Sequence, residues 1–135
     1  MNYFETTFSA QAGVAYHLWV RLKAQNNYFG NDSIYVQFSD AQNASKAAIY
    51  RIDTPTAAAV VLQETDNGPI REWGWADQGW NGNGTHIYFT EAATHTIRIQ
   101  QREDGVMIDQ IILSPSTYLA SPPGAQNNDT TIVPR

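Results

Sequence analysis

No cysteine occurs in the 135 residues, so neither a disulfide framework nor a thiolate metal site is open to this chain. Long apolar runs are missing too. Nothing approaches the eighteen or so consecutive apolar residues that a membrane helix needs. Positive charge is scarce: eight Lys and Arg stand against thirteen Asp and Glu, for a net charge of −5. A polyanion such as duplex DNA would be repelled on average, so a nucleic-acid partner is not expected. The opening MNYFETTF has neither the basic region nor the apolar stretch of a signal peptide. Amphipathic helical spacing is also absent, and the best helical candidate, DAQNASKAA, is short and polar. There is no GxSxG, no HExxH and no phosphate-cradling loop.

What remains is alternation. In AYHLWVRLKA, Tyr16, Leu18, Val20 and Leu22 alternate with His17, Trp19, Arg21 and Lys23. In SIYVQFS, Ile34, Val36 and Phe38 are set against Tyr35 and Gln37. AAIYRID, AAVVLQE, HIYFT, HTIRIQQR and VMIDQIILS are further β-branched and aromatic runs. Between them lie the turn signals QAG, YFGND, DNGP, NGNG and EDG. About seven or eight short strands so punctuated predict one all-β domain, an antiparallel β-sandwich or jelly roll. The alternation places Leu18, Val20, Leu22, Ile34, Val36, Phe38, Ile97 and Ile99 in its core. Residues 1–119 are expected to form the domain. From Ser114 the composition turns rich in Pro, Asn and Thr, so 120–135 read as a C-terminal extension or linker.

Candidate chemistry is thin. A glycosidase needs two carboxylates across the scissile bond. Glu72, Asp77, Glu103 and Asp104 qualify by type alone, and Asp104-Gly105 most simply makes a turn. His17, His86 and His95 lack ligand-like spacing and suit hydrogen-bonded strand positions. The expectation is therefore binding without catalysis.

The segment REWGWADQGWNGNG carries Trp73, Trp75 and Trp80, three of the four tryptophans. Trp73 and Trp75 share strand parity, so at least one is expected to be buried, plausibly between the sheets. Trp80 sits between Gly79 and Asn81-Gly82, outside any alternation, and reads as an exposed platform. A pyranose presents a face of C–H groups that stacks on an aromatic ring while Asn, Asp and Arg read its hydroxyls. The same ingredients recur in QNNYFGND, where Tyr28 and Phe29 stand among Asn26, Asn27, Asn31 and Asp32. Asp77 lies beside Trp75, and the loop QREDG adds Arg102, Glu103 and Asp104. A second surface follows from the outward half of the alternation: Trp19, Arg21, Lys23, Tyr35, Gln37, Arg51, Arg98 and Gln100.

Taken in order, GVAYHLWVRLKA, a polar aromatic loop, NDSIYVQFS, a tryptophan-rich segment and THTIRIQQREDGVMIDQIILS resemble carbohydrate-binding modules of families 6 and 35. These are jelly-roll modules of the galactose-binding-like superfold. The ending REDGVMIDQIILSPSTYL also looks like modules appended to large exported bacterial proteins. The resemblance implies a secreted or extracellular protein with other domains in a longer chain. It implies a sugar cleft on loops at one end of the sandwich. Tyr28 or Phe29 would supply one aromatic, and Trp80 or Trp75 the tryptophan. The polar position before the last strand falls at Glu103 or Asp104, a carboxylate that accepts hydrogen bonds but cannot donate when ionised. The resemblance further implies structural calcium, with Asp109 as the last-strand ligand. It also implies a missing first strand ahead of NYFETTF, leaving an open sheet edge that favours self-pairing or a partner strand.

Overall fold

A computed structural model describes residues 2–78 and 84–135. Among the described residues the fold is an all-β antiparallel sandwich, with only two short 3-10 turns, Gln25–Asn27 and Phe29–Asn31. The strands are β1 (Tyr3–Ala10), β2 (His17–Ala24), β3 (Ser33–Phe38), β4 (Ala41–Gln42), β5 (Ala58–Val61), β6 (Gly74–Ala76), β7 (Tyr88–Phe89), β8 (Ala93–Gln101) and β9 (Val106–Ser114). One sheet runs β1-β8-β3-β5 and the other β6-β2-β9, with β4 and β7 forming a small third sheet. The expected strand in AAIYRID forms only isolated bridges, Phe38 with Arg51 and Gln42 with Ala48. Its backbone turns left-handed at Lys46, Tyr50 and Asp53, which breaks the extended run.

The alternation fixes which face each strand buries. Leu18, Val20, Leu22, Ile34, Val36, Phe38, Ile97 and Ile99 are all buried, and with Val60, Leu62, Ile87 and Phe89 they form one core between the sheets. The partition of β2 and β3 into different sheets splits the expected second surface. Trp19, Arg21 and Lys23 face outward from β2, whereas Tyr35, Gln37, Arg98 and Gln100 share the outer face of the other sheet.

The β2 face is not open. Residues 115–135 run across it. The indole of Trp19 donates to the Tyr118 carbonyl at 2.8 Å, and that of Trp75 to the Thr131 carbonyl at 3.2 Å. Backbone bonds tie Trp75 N–H to Ala125, Asn128 N–H to Arg71 and Asp129 N–H to Trp73. Gln110 exchanges two bonds with Val133. Trp75 is buried as expected, but on the other side of its sheet: it registers with outward-facing Arg21 and is covered by the C-terminal segment. Trp73 is half-buried, with the Arg21 guanidinium 4.9 Å over its ring. Trp80 lies outside the described residues.

Candidate functional site

At the end of the sandwich where β2 finishes, the β2–β3 and β8–β9 loops meet. Gln25 N–H donates to the Gly105 carbonyl at 2.9 Å, and Asn31 Nδ2 to the Gln25 carbonyl at 3.2 Å. Gly105, at φ +95°, is needed here: an added Cβ would lie 2.8–3.0 Å from the Gln25 and Asn31 side chains. Asn26 and Asn27 take left-handed backbone (φ 60° and 49°), a conformation asparagine tolerates. Asn27 Oδ1 then accepts from Glu72 N–H at 2.7 Å, and Glu72 is bonded in turn to the Lys23 ammonium. The loop is pinned on both flanks.

The pinned loop carries Tyr28 and Phe29, each 46 % exposed. Their ring centroids are 4.7 Å apart and their planes are inclined at 52°, so the pair forms an open corner. Gly30 lies beneath the Tyr28 ring, where a Cβ would come within 2.5 Å of it. The QREDG loop meets it, Gly105 at Gln25 and Glu103 at Asp32 and Ser33, so the structure brings together the two loops that carry Tyr28, Phe29 and Asn31 and Arg102, Glu103 and Asp104.

Behind the loop is a carboxyl pair that sequence patterning missed. Glu103 Oε2 accepts from Asp32 N–H at 2.9 Å and from Ser33 Oγ at 2.7 Å, while Arg102 donates to Glu103 Oε1 at 2.9 Å. Burial, then the hydrogen bond and charge of Glu103, push the Asp32 carboxyl up to about 7. Glu103 is held below its usual range: burial opposes ionisation, but the Ser33 hydroxyl, the Asp32 N–H and Arg102 outweigh it. A split pair of this kind can mark an acid and a base. Here Asp32 is only 2 % exposed and its side chain bonds directly to Glu103. No space for a scissile bond exists between them. Glu64 is also buried, and burial raises its carboxyl against the opposing charge of Arg71. The signal for Asp32 in the sequence was only its place at the end of a polar loop.

The other candidates lie elsewhere. Asp77 accepts from Gly84 N–H at 3.1 Å and pairs with His17 Nε2 at 2.8 Å, at the opposite end of β2. Eight residues of strand (His17–Ala24) separate that end from the Tyr28 loop, roughly 25 Å at the usual rise. His17 stacks on Trp19 with centroids 4.2 Å apart, and its Nδ1 lies 2.8 Å from the Leu119 carbonyl. Burial disfavours its charge, yet the hydrogen bonds to Asp77 and Leu119 and the Asp77 charge raise its pKa overall. Trp75 belongs to the covered outer face. Asp109, offered by the resemblance as a calcium ligand, is engaged by the Arg21 guanidinium. Among the described residues no three His, Asp or Glu side chains gather as a metal cage.

The outer face of the four-stranded sheet holds a surface hollow of about 650 Å3, walled by Tyr35, Tyr50, Arg98 and Gln100. Gln37 Nε2 fixes its rim through the carbonyls of Arg51, Thr54 and Thr56 at 2.8–3.0 Å.

No protein family matches this chain, and neither a curated protein nor a solved structure matches it. The site therefore has to be read from its own geometry. Among the described residues no helix is long and apolar enough to cross a membrane.

Proposed function

We propose that the domain binds carbohydrate without chemistry, through the Tyr28–Phe29 corner, as part of an exported protein. The observation that carries this reading is the pair of half-exposed rings on a loop pinned at both flanks. An aromatic platform held rigid before the ligand arrives loses little conformational entropy on binding. The corner formed by two inclined rings offers one plane to the C–H face of a sugar and an edge to its side. Asn26, Asn31, Arg102 and Asp104 supply both donors and acceptors around it. The resemblance to modules of families 6 and 35 supports the same end of the sandwich. Three of the four carboxylates that a catalytic reading would use are engaged structurally: Glu72 by Lys23 and Asn27, Glu103 by Ser33 and the Asp32 N–H, and Asp77 by His17.

The test is a set of binding isotherms against a panel of soluble polysaccharides. Tyr28→Ala and Phe29→Ala should each weaken binding by about 5- to 150-fold, the equivalent of about 1–3 kcal/mol for one stacked ring, by analogy with aromatic stacking on bases. Melting should scarcely change, because both rings are wet in the free protein. Trp80→Ala tests the other aromatic that the sequence offers as a platform. If Trp80→Ala abolishes binding while Tyr28→Ala leaves it intact, the sugar site is not at the Tyr28 corner.

A further inference from the structure

One long side of the sandwich is unsealed. Among the described residues, strand β1 pairs only with β8, and β9 only with β2, so each presents a free backbone edge. Both edges lie on the same side, because two hollows are lined jointly by these strands. The first, about 380 Å3, is bounded by Tyr3 and Phe4 of β1, Val106 and Ile108 of β9, and Ile34 and Ile99 of the core. The second, about 270 Å3, is bounded by Thr6 and Phe8 of β1, Ile111 and Leu113 of β9, and Ile97. Val106, Ile108, Ile111 and Leu113 register with Ala24, Leu22, Val20 and Leu18, so all four point toward the core. Yet each is only half-buried, and Phe4 is 49 % exposed. Core-facing aliphatic side chains are wet along the whole seam.

A lone domain ordinarily blunts such edges with lysine, proline or short strands. Here β1 has eight residues and β9 nine, with no Lys or Pro in either. Their charges are Glu5 and Asp109, each neutralised within its own sheet by Arg98 and Arg21. The seam is long and largely apolar, and the carboxylate at its end, Glu103, is held by Arg102 and Ser33.

We propose that this seam is an interface between two copies of the chain. A two-fold axis perpendicular to the sheets sets β1 antiparallel to the partner copy's β1, and β9 antiparallel to its β9. Both edges are satisfied at once and the two half-open cores become continuous. Such an interface is self-complementary, as two-fold symmetry requires. Strand length suits the arrangement, since the two edges differ by one residue and both ladders can run their full length. A bulge at Asp109 bends β9, which makes β1 with its counterpart the more regular ladder. A seam ~30 Å long by ~20 Å thick covers roughly 600 Å2 per copy, about 1,200 Å2 in all, at the low end of specific interfaces. A dimer of micromolar affinity is therefore expected rather than a permanent one.

Sedimentation equilibrium between about 1 and 200 µM reads the association directly, across the micromolar range that an interface of this size implies. The wild type should pass from monomer to dimer in that range. Phe4→Lys, at an exposed seam position, should raise the dissociation constant by about 100-fold or more while the monomer melts normally. Ala44→Lys, on an exposed loop away from both edges, should leave it unchanged. Because the chain has no cysteine, single cysteines report the pairing cleanly. Thr6→Cys or Thr7→Cys, mid-way along β1, should cross-link on oxidation, since opposed strand residues meet the spacing of a disulfide. Asn67→Cys, on a distant loop, should not. A wild type that stays monomeric throughout overturns the proposal, whether or not an added extended peptide then binds the seam. A dimer that neither Phe4→Lys weakens nor the central β1 cysteines capture also overturns it.

Discussion

Trp75→Ala is expected to lower folding free energy by about 3–5 kcal/mol, the range for truncating a fully buried tryptophan. The indole is 2 % exposed and its N–H donates to Thr131, so truncation opens a cavity and leaves that carbonyl without its partner. The burial comes from an unusual source. The cover is the C-terminal segment around Ala125 to Thr131, not the opposing sheet. Deleting residues 120–135 should therefore shift tryptophan fluorescence to the red and destabilise the domain. Trp73→Ala, whose ring is half-buried beneath Arg21, should cost less. Urea denaturation of the three variants at a common m-value ranks them. If Trp75→Ala melts like the wild type, the C-terminal segment does not dock as described.

The second large effect is on pH dependence. Asp32 has a folded pKa raised to about 7 from 3.8. A carboxyl raised in this way binds its proton more tightly in the folded state. Its stabilising effect is full below the unfolded value and is lost as pH climbs from about 4 to 7. The lowered Glu103 offsets part of this loss. His17 and Glu64 are also raised, so their contributions likewise fade as pH rises. Glu103, Glu72 and Asp129 are lowered, and their contributions are lost only at the acid end. Stability should therefore peak on the mildly acidic side. Asp32→Asn keeps a donor for Glu103 and an acceptor for the Glu64 N–H. The variant should be close to neutral at pH 5 and stabilising at pH 8, with a flatter melting profile between. A profile for Asp32→Asn that runs parallel to the wild type would remove Asp32 from the account.

The β-sandwich and its core residues were legible in the sequence because a period of two forces a choice of face. Once Leu18, Val20 and Leu22 point inward, Trp19, Arg21 and Lys23 cannot. The Tyr28 loop and the QREDG loop were legible as polar, glycine-marked turns, but their meeting was not. That contact depends on β2 and β9 pairing across 80-odd residues of chain, with Gln25 bonded to Gly105. Alternation cannot say which sheet a strand joins. It therefore could not separate the Trp19 face from the Tyr35 face, nor place Trp75 on the outside.

Burial of the outward face was decided by the C-terminal segment, whose Pro- and Asn-rich composition carries no periodicity. It docks through backbone carbonyls that accept from Trp19, Trp75 and Arg21, and every residue type has such a carbonyl. Asp32 shows the same limit in its charge. Its composition says only that it is acidic; its proton depends on Glu103, which is distant in sequence and brought near by the β3–β8 pairing. Period and turn chemistry are local properties, so the sequence determined the strands and their inward faces by itself. Neighbours across sheets, covers over faces and the partners of buried charges are set by long-range packing, and these only the tertiary structure decided.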